Sequence, residues 1–284
     1  MTHILIHSLE HAFQDSLKIL PFLFLTYLMM EFLEKKAGER TNLWLEKAGK
    51  AGPVAGGILG VIPQCGMSAV ASNLYAGRII SVGTLLAIYL STSDEMLPIM
   101  ISQSVDIVTI AKVLGIKVII AMSAGMLVDF TYNLLKKEEV CEMKVHEFCE
   151  HEHCHCEDGI WKSAFRHTWQ IFLFVLLVTV VLNIGIEFIG EERLAGFILN
   201  RPIVGPVLAG MIGLLPNCAA SVVITQMFLD GLMSFGTMLA GLLVGAGVGI
   251  LVLLRVNESK ADSLKIIGIL YFIGVLSGIL FNII

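Results

Sequence analysis

Two six-residue strings place binding chemistry inside an otherwise apolar chain: Pro63-Gln64-Cys65-Gly66-Met67-Ser68 and Pro216-Asn217-Cys218-Ala219-Ala220-Ser221. Each combines a helix-breaking proline, a side-chain amide, a thiol and a hydroxyl. Thiols suit soft metals and trivalent arsenicals. Amides, hydroxyls and the unpaired N–H groups of a starting helix suit an oxyanion instead. Pro63, Gln64, Cys65, Gly66, Ser68, Pro216, Asn217, Cys218 and Ser221 are therefore the candidate substrate-binding residues. A plainer alternative is that small residues and cysteine simply let two tips pack closely. Recurrence of the same amide-Cys-small-x-Ser order in both strings favours a binding role.

A second candidate is acidic. Tyr89-Leu90-Ser91-Thr92-Ser93-Asp94-Glu95-Met96-Leu97-Pro98 is polar in the middle of an apolar segment. Adjacent carboxylates at membrane depth are costly and usually mark an ion or proton pathway. Ser91, Thr92, Ser93, Asp94 and Glu95 are thus expected as coupling groups or hard-cation ligands, and Pro98 should open the helix near Asp94. Such acids are cheap if the segment lies at the interface, but Leu97–Ile101 is too short to span onward alone.

The third is a metal-ligand cluster. Cys141, His146, Cys149, His151, His153, Cys154, His155 and Cys156 put eight ligand side chains into sixteen residues, amid several glutamates. Their spacing matches no defined zinc finger, yet four of them could hold Zn(II), Cu(I) or another thiophilic ion. No cofactor is required, and such a metal would serve capture or sensing. Near the start, His7-Ser8-Leu9-Glu10-His11 matches a zinc-peptidase string. It lacks a supporting third ligand, and a polar face on a short amphipathic helix is the better reading, so no enzyme is expected.

The elements that position these groups follow from one offset. The second string follows the first by 153 residues, from 63 to 216, and its surroundings keep that register. Gly52-Pro53-Val54 falls on Gly205-Pro206-Val207, and Ser81-Val82-Gly83-Thr84 on Ser234-Phe235-Gly236-Thr237. Arg40 matches Arg193, Lys112 matches Lys265 and Gly125 matches Gly278. The chain reads as two copies of one unit, 1–135 and 167–284, joined by a polar Cys/His-rich linker, 136–166.

Composition sets the solvent. Among 284 residues, 56% are hydrophobic and only 15% charged, and mean hydropathy is +0.82, too apolar for the surface of a soluble domain. Spanning runs are Leu17–Phe32, Ile79–Leu90 continuing to Ile101, Val113–Leu135, Ile171–Ile189, Thr237–Leu254 and Ile266–Ile284. No cleaved signal peptide is expected before Leu17. Each arm beside Pro63 or Pro216 is about ten residues, roughly 15 Å of helix, which reaches the middle of a core about 30 Å thick. Re-entrant hairpins give each half three crossings and invert the halves. Lys35–Lys50, Arg78, the linker, Arg255, Lys260 and Lys265 then put 14 basic residues on one side, against Lys112, Lys117, Arg193 and Arg201 on the other. Interrupted full crossings divide them 12 to 6. The positive-inside rule selects hairpins, with the linker cytoplasmic and both termini outside. The fold class is therefore an all-α polytopic membrane protein of two inverted-topology repeats. Each repeat has three spanning helices and a broken-helix hairpin, ten hydrophobic elements in all. The two tips should meet at the midplane, with helices starting at Gly66 and Ala219. Gly241, Gly245, Gly247 and Gly249, opposite the acidic string, should admit a neighbouring backbone.

Leu20-Pro21-Phe22-Leu23-Phe24-Leu25-Thr26-Tyr27-Leu28 with Glu31, and the Pro63-Gln64-Cys65-Gly66 and Pro216-Asn217-Cys218 motifs, carry a resemblance. The chain resembles the ten-transmembrane heavy-metal exporters, which are arsenical-permease-like and include members labelled manganese transporters. The resemblance covers nearly the whole chain and implies efflux of a metal or metalloid. A secondary transporter in a bacterial plasma membrane is thus expected, exporting such a species through the two broken helices. No P-loop is present, so an ion gradient would drive it. Its partners would be the transported ion and the lipid bilayer, without nucleic acid; a homodimer is compatible. The alternatives are a phosphate or arsenate transporter, and a membrane metal sensor using the Cys/His linker.

Overall fold

A computed structural model describes residues 51–61, 65–93, 96–135, 202–216 and 218–283, with scattered positions in 20–28 and 165–180. In the first half these form α1 (51–59), α2 (Cys65–Ala76), α3 (Val82–Ser91), α4 (Met96–Ser102) and α5 (Ile107–Leu135). In the second they form α6 (Val204–Gly213), α7 (Cys218–Leu229), α8 (Phe235–Val244), α9 (Val248–Val256) and α10 (Lys260–Ile283). No strand occurs among the described residues. Ile107–Leu134, Phe235–Val256 and Lys260–Ile283 are long and apolar enough to cross a membrane. The architecture is that of an all-α membrane protein. The runs expected at 17–32 and 171–189 lie largely outside the described residues.

Local chemistry explains where the elements begin and end. Ser81 caps α3 by accepting from the Thr84 N–H at 3.1 Å, and Ser234 caps α8 by accepting from Thr237 N–H at 3.4 Å. The Asp129 carboxylate on α5 also accepts from the Ser81 hydroxyl at 2.6 Å and the Gly83 N–H at 2.8 Å. At their far ends, α2 stops with Arg78 at φ 58° and α7 with Gly231 at φ 71°. The same bonds close both: Gly77 N–H to Asn73 O and Ile79 N–H to Leu74 O, then Asp230 N–H to Gln226 O and Leu232 N–H to Met227 O.

The starts of α2, α3 and α5, at 65, 82 and 107, and those of α7, α8 and α10, at 218, 235 and 260, keep the sequence offset. Packing keeps it too. A Cβ on Gly83 would overlap the Gly125 carbonyl oxygen, and one on Gly236 would overlap that of Gly278. Close backbone approach of this kind is what glycine permits between membrane helices. Thus α3 lies along α5, and α8 along α10. Between halves, α2 packs on α9, α7 packs on α4, and α3 meets α8.

The core sits on the short helices. All of α3 is buried, as is nearly all of α8, while α5 and α10 turn apolar side chains outward. Ile119, Met126, Leu127, Phe130 and Leu134 form one exposed face of α5, and Phe272, Leu276 and Leu280 recur every fourth residue on α10. Such faces fit lipid. Lys112 and Lys117, counted above as loop charges, stand inside α5, and Lys265 stands inside α10.

Candidate functional site

The span carrying the acidic string is broken. Helix α3 ends at Ser91, and Thr92 departs to φ −53°, ψ 130°. Ser91, Thr92 and Ser93 are all buried. Their hydroxyls turn back on the chain: Ser91 to Ala87 O at 2.8 Å, Thr92 to Ile88 O at 2.7 Å and Ser93 to Ser91 O at 3.0 Å. Chain resumes as helix at Met96, with Pro98 in the first turn of α4. Pro98 lacks a donor N–H and tolerates a helix start, which explains the break's position. Asp94 and Glu95 lie outside the described residues.

The corresponding segment breaks for a different reason. Helix α8 ends before Gly245, and Gly247 takes φ +52°, a conformation that favours glycine. Two residues on, a Cβ at Gly249 would stand 2.7 Å from the Cβ of Ser68. Here the glycine-rich counterpart does admit another backbone, namely that of α2.

Helices α2 and α7 thus each meet the break of the other half. Ser68 is fully buried against Gly249. Four residues further along α2, the Ser72 hydroxyl bonds Ser68 O at 2.7 Å, Gly249 O at 2.8 Å and the Tyr89 hydroxyl at 2.6 Å. On α7, Ser221 lines a small cavity with Thr92, Ser93 and Met96 from the first break and Gly245 and Gly247 from the second. Its volume is about 20 Å³, enough for a water or a single small ion.

As described, α2 and α7 run from Cys65 and Cys218 and include Gly66 and Ala219 as expected, and Gly66 is buried. Pro216 is half-buried in the turn before α7. Pro63, Gln64 and Asn217 lie outside the described residues, as do Cys141, His146, Cys149, His151, His153, Cys154, His155 and Cys156. Among the described residues no three His, Cys, Asp or Glu side chains gather as a metal centre.

Lys117 is the residue that the sequence reading missed. It is 1% exposed, and its ammonium donates to the carbonyls of Thr92 and, at 3.1 Å, of Leu242. Both acceptors belong to residues that line the cavity. A lone lysine inside an apolar run was the available signal, but counting it among loop charges hid it.

A family described as "Putative, 10TM heavy-metal exporter" matches residues 1–190 and, in a second stretch, 162–284. No curated protein and no solved structure matches the chain.

Proposed function

Because this chain belongs to the ten-transmembrane heavy-metal exporter family, we propose that it is a secondary transporter expelling a soft metal or metalloid species through the cavity between the two halves. The observation that carries this reading is the meeting, around one small cavity, of Ser221 from a Pro-amide-Cys tip with both helix breaks. Irregular backbone at membrane depth is tolerated where it lines such a space or is buried in protein. Discontinuous helices commonly frame transporter sites.

In this reading the two halves are inverted copies related by a pseudo-twofold axis. Support comes from the shared 153-residue register of the helix starts and from the reciprocal packing of α2 on α9 and α7 on α4. Removing Lys112, Lys117 and Lys265 from the loop charges leaves the basic excess on the linker side. The linker is then cytoplasmic and both termini are outside. Cys65 and Cys218 serve as soft ligands, Gln64 and Asn217 orient the cargo, and Asp94 with Glu95 couples transport to an ion gradient. The linker ligands collect or sense metal without forming the translocation site.

One observation favours a second reading. The described parts of helices α2 and α7 start beside the Pro-amide-Cys strings, and helix N-termini attract oxyanions such as arsenate or phosphate. An ion profile separates the two. Expression in a metal-sensitive bacterial host should lower accumulation of Cd, Zn, Mn, Cu or arsenite and raise resistance to it. Protection confined to arsenate, or altered phosphate accumulation, would select the oxyanion carrier. A host whose accumulation of every one of these ions is unchanged would sink export altogether.

A further inference from the structure

Lys117 stands in the interior of α5, and its ammonium charge is almost completely withdrawn from the surface. Such burial is tolerated only where the charge is stabilised. Its two carbonyl partners are distinctive, because each sits at a helix break. Thr92 is the residue at which α3 ends, so its carbonyl lies at the negative end of that helix. In a continuous α8, Leu242 O would accept the N–H of Ala246; that N–H goes to Val244 O at 2.8 Å instead. One lysine therefore supplies a donor to a carbonyl exposed by the break in each half. Thr92 and Leu242 line the same cavity.

We propose that Lys117 is the positioning residue of this cavity: its ammonium ties the two breaks together, and opening the cavity requires it to release one carbonyl. The inference rests on the transport reading for its role in the cycle, but the tie itself is a property of the resting protein. The side chain acts through the main chain of Thr92 and Leu242 and need not touch cargo. A methionine would fill similar space without charge or donors, whereas an arginine keeps both.

The test compares full-length wild type, K117M and K117R in nanodiscs and proteoliposomes. Amide hydrogen exchange across residues 82–93 and 235–247 reads the tie without cargo. Exchange there should speed about tenfold or more in K117M, while K117R stays near wild type. Uptake of Cd(II) or arsenite should show a maximum rate about tenfold or more lower in K117M, with KM moved less, and partial recovery in K117R. Unchanged exchange in K117M overturns the tie, and a wild-type rate in K117M overturns its part in the cycle. Should K117M fail to fold, K117Q takes its place, with a shorter side chain and no charge: exchange and maximum rate both at wild-type values there would overturn the proposal. If wild-type vesicles move neither Cd(II) nor arsenite, the exporter reading falls, and the exchange comparison still judges the tie.

Discussion

Ser72 illustrates how single side chains join the halves. Its hydroxyl has Ser68 O, Gly249 O and the Tyr89 hydroxyl all within 2.8 Å, so it ties the first tip helix to both broken segments. Replacing it with alanine removes the one proton this hydroxyl donates and leaves a buried acceptor short of a donor, at a cost of about 1–3 kcal/mol. Ser72→Ala should lower the thermal midpoint in detergent, and an unchanged midpoint would show that these bonds contribute nothing net. Ser72 carries no signal in the sequence and that of Lys117 was masked by its place among the counted loop charges, whereas Thr92, Ser93 and Ser221 were legible. The latter three fall within polar or repeated strings. The partners of Ser72 and Lys117 are mainly backbone carbonyls brought from far along the chain, and residue spacing carries no trace of them.

At the scale of elements, the two halves reach similar breaks by different means. The first was legible because serine, threonine, acids and Pro98 cluster in an apolar run. The second has only glycines, and its consequence depends on what packs there. Helix α2 comes so close that a Cβ at Gly249 would stand 2.9 Å from the carbonyl carbon of Ser68. Gly249→Leu should therefore push α2 from α9 and reduce transport, while leaving helix content by circular dichroism unchanged. Overpacking of this kind costs about 1–3 kcal/mol. Wild-type transport by that variant would separate the Ser68–Gly249 contact from function. Helix is present at Gly66 and Ala219 as expected, within α2 and α7.

Across the whole molecule, the apolar composition and long outer helices give a membrane protein, and the family match makes heavy-metal export its family description. The site proposed at its centre draws on both halves, so neither half should transport alone. The linker stands apart from it in sequence. Deleting residues 141–156 should weaken metal resistance without abolishing it, as judged by growth across a Cd(II) series. Complete loss at normal protein abundance would move the essential ligands into the linker and favour the sensor reading. The most direct test of the central claim is Cd(II) and arsenite accumulation in a sensitised host expressing Cys65→Ala/Cys218→Ala at wild-type abundance. A composite soft-ligand site predicts that accumulation rises to the level of cells lacking the protein. Accumulation as low as with the wild type would contradict it.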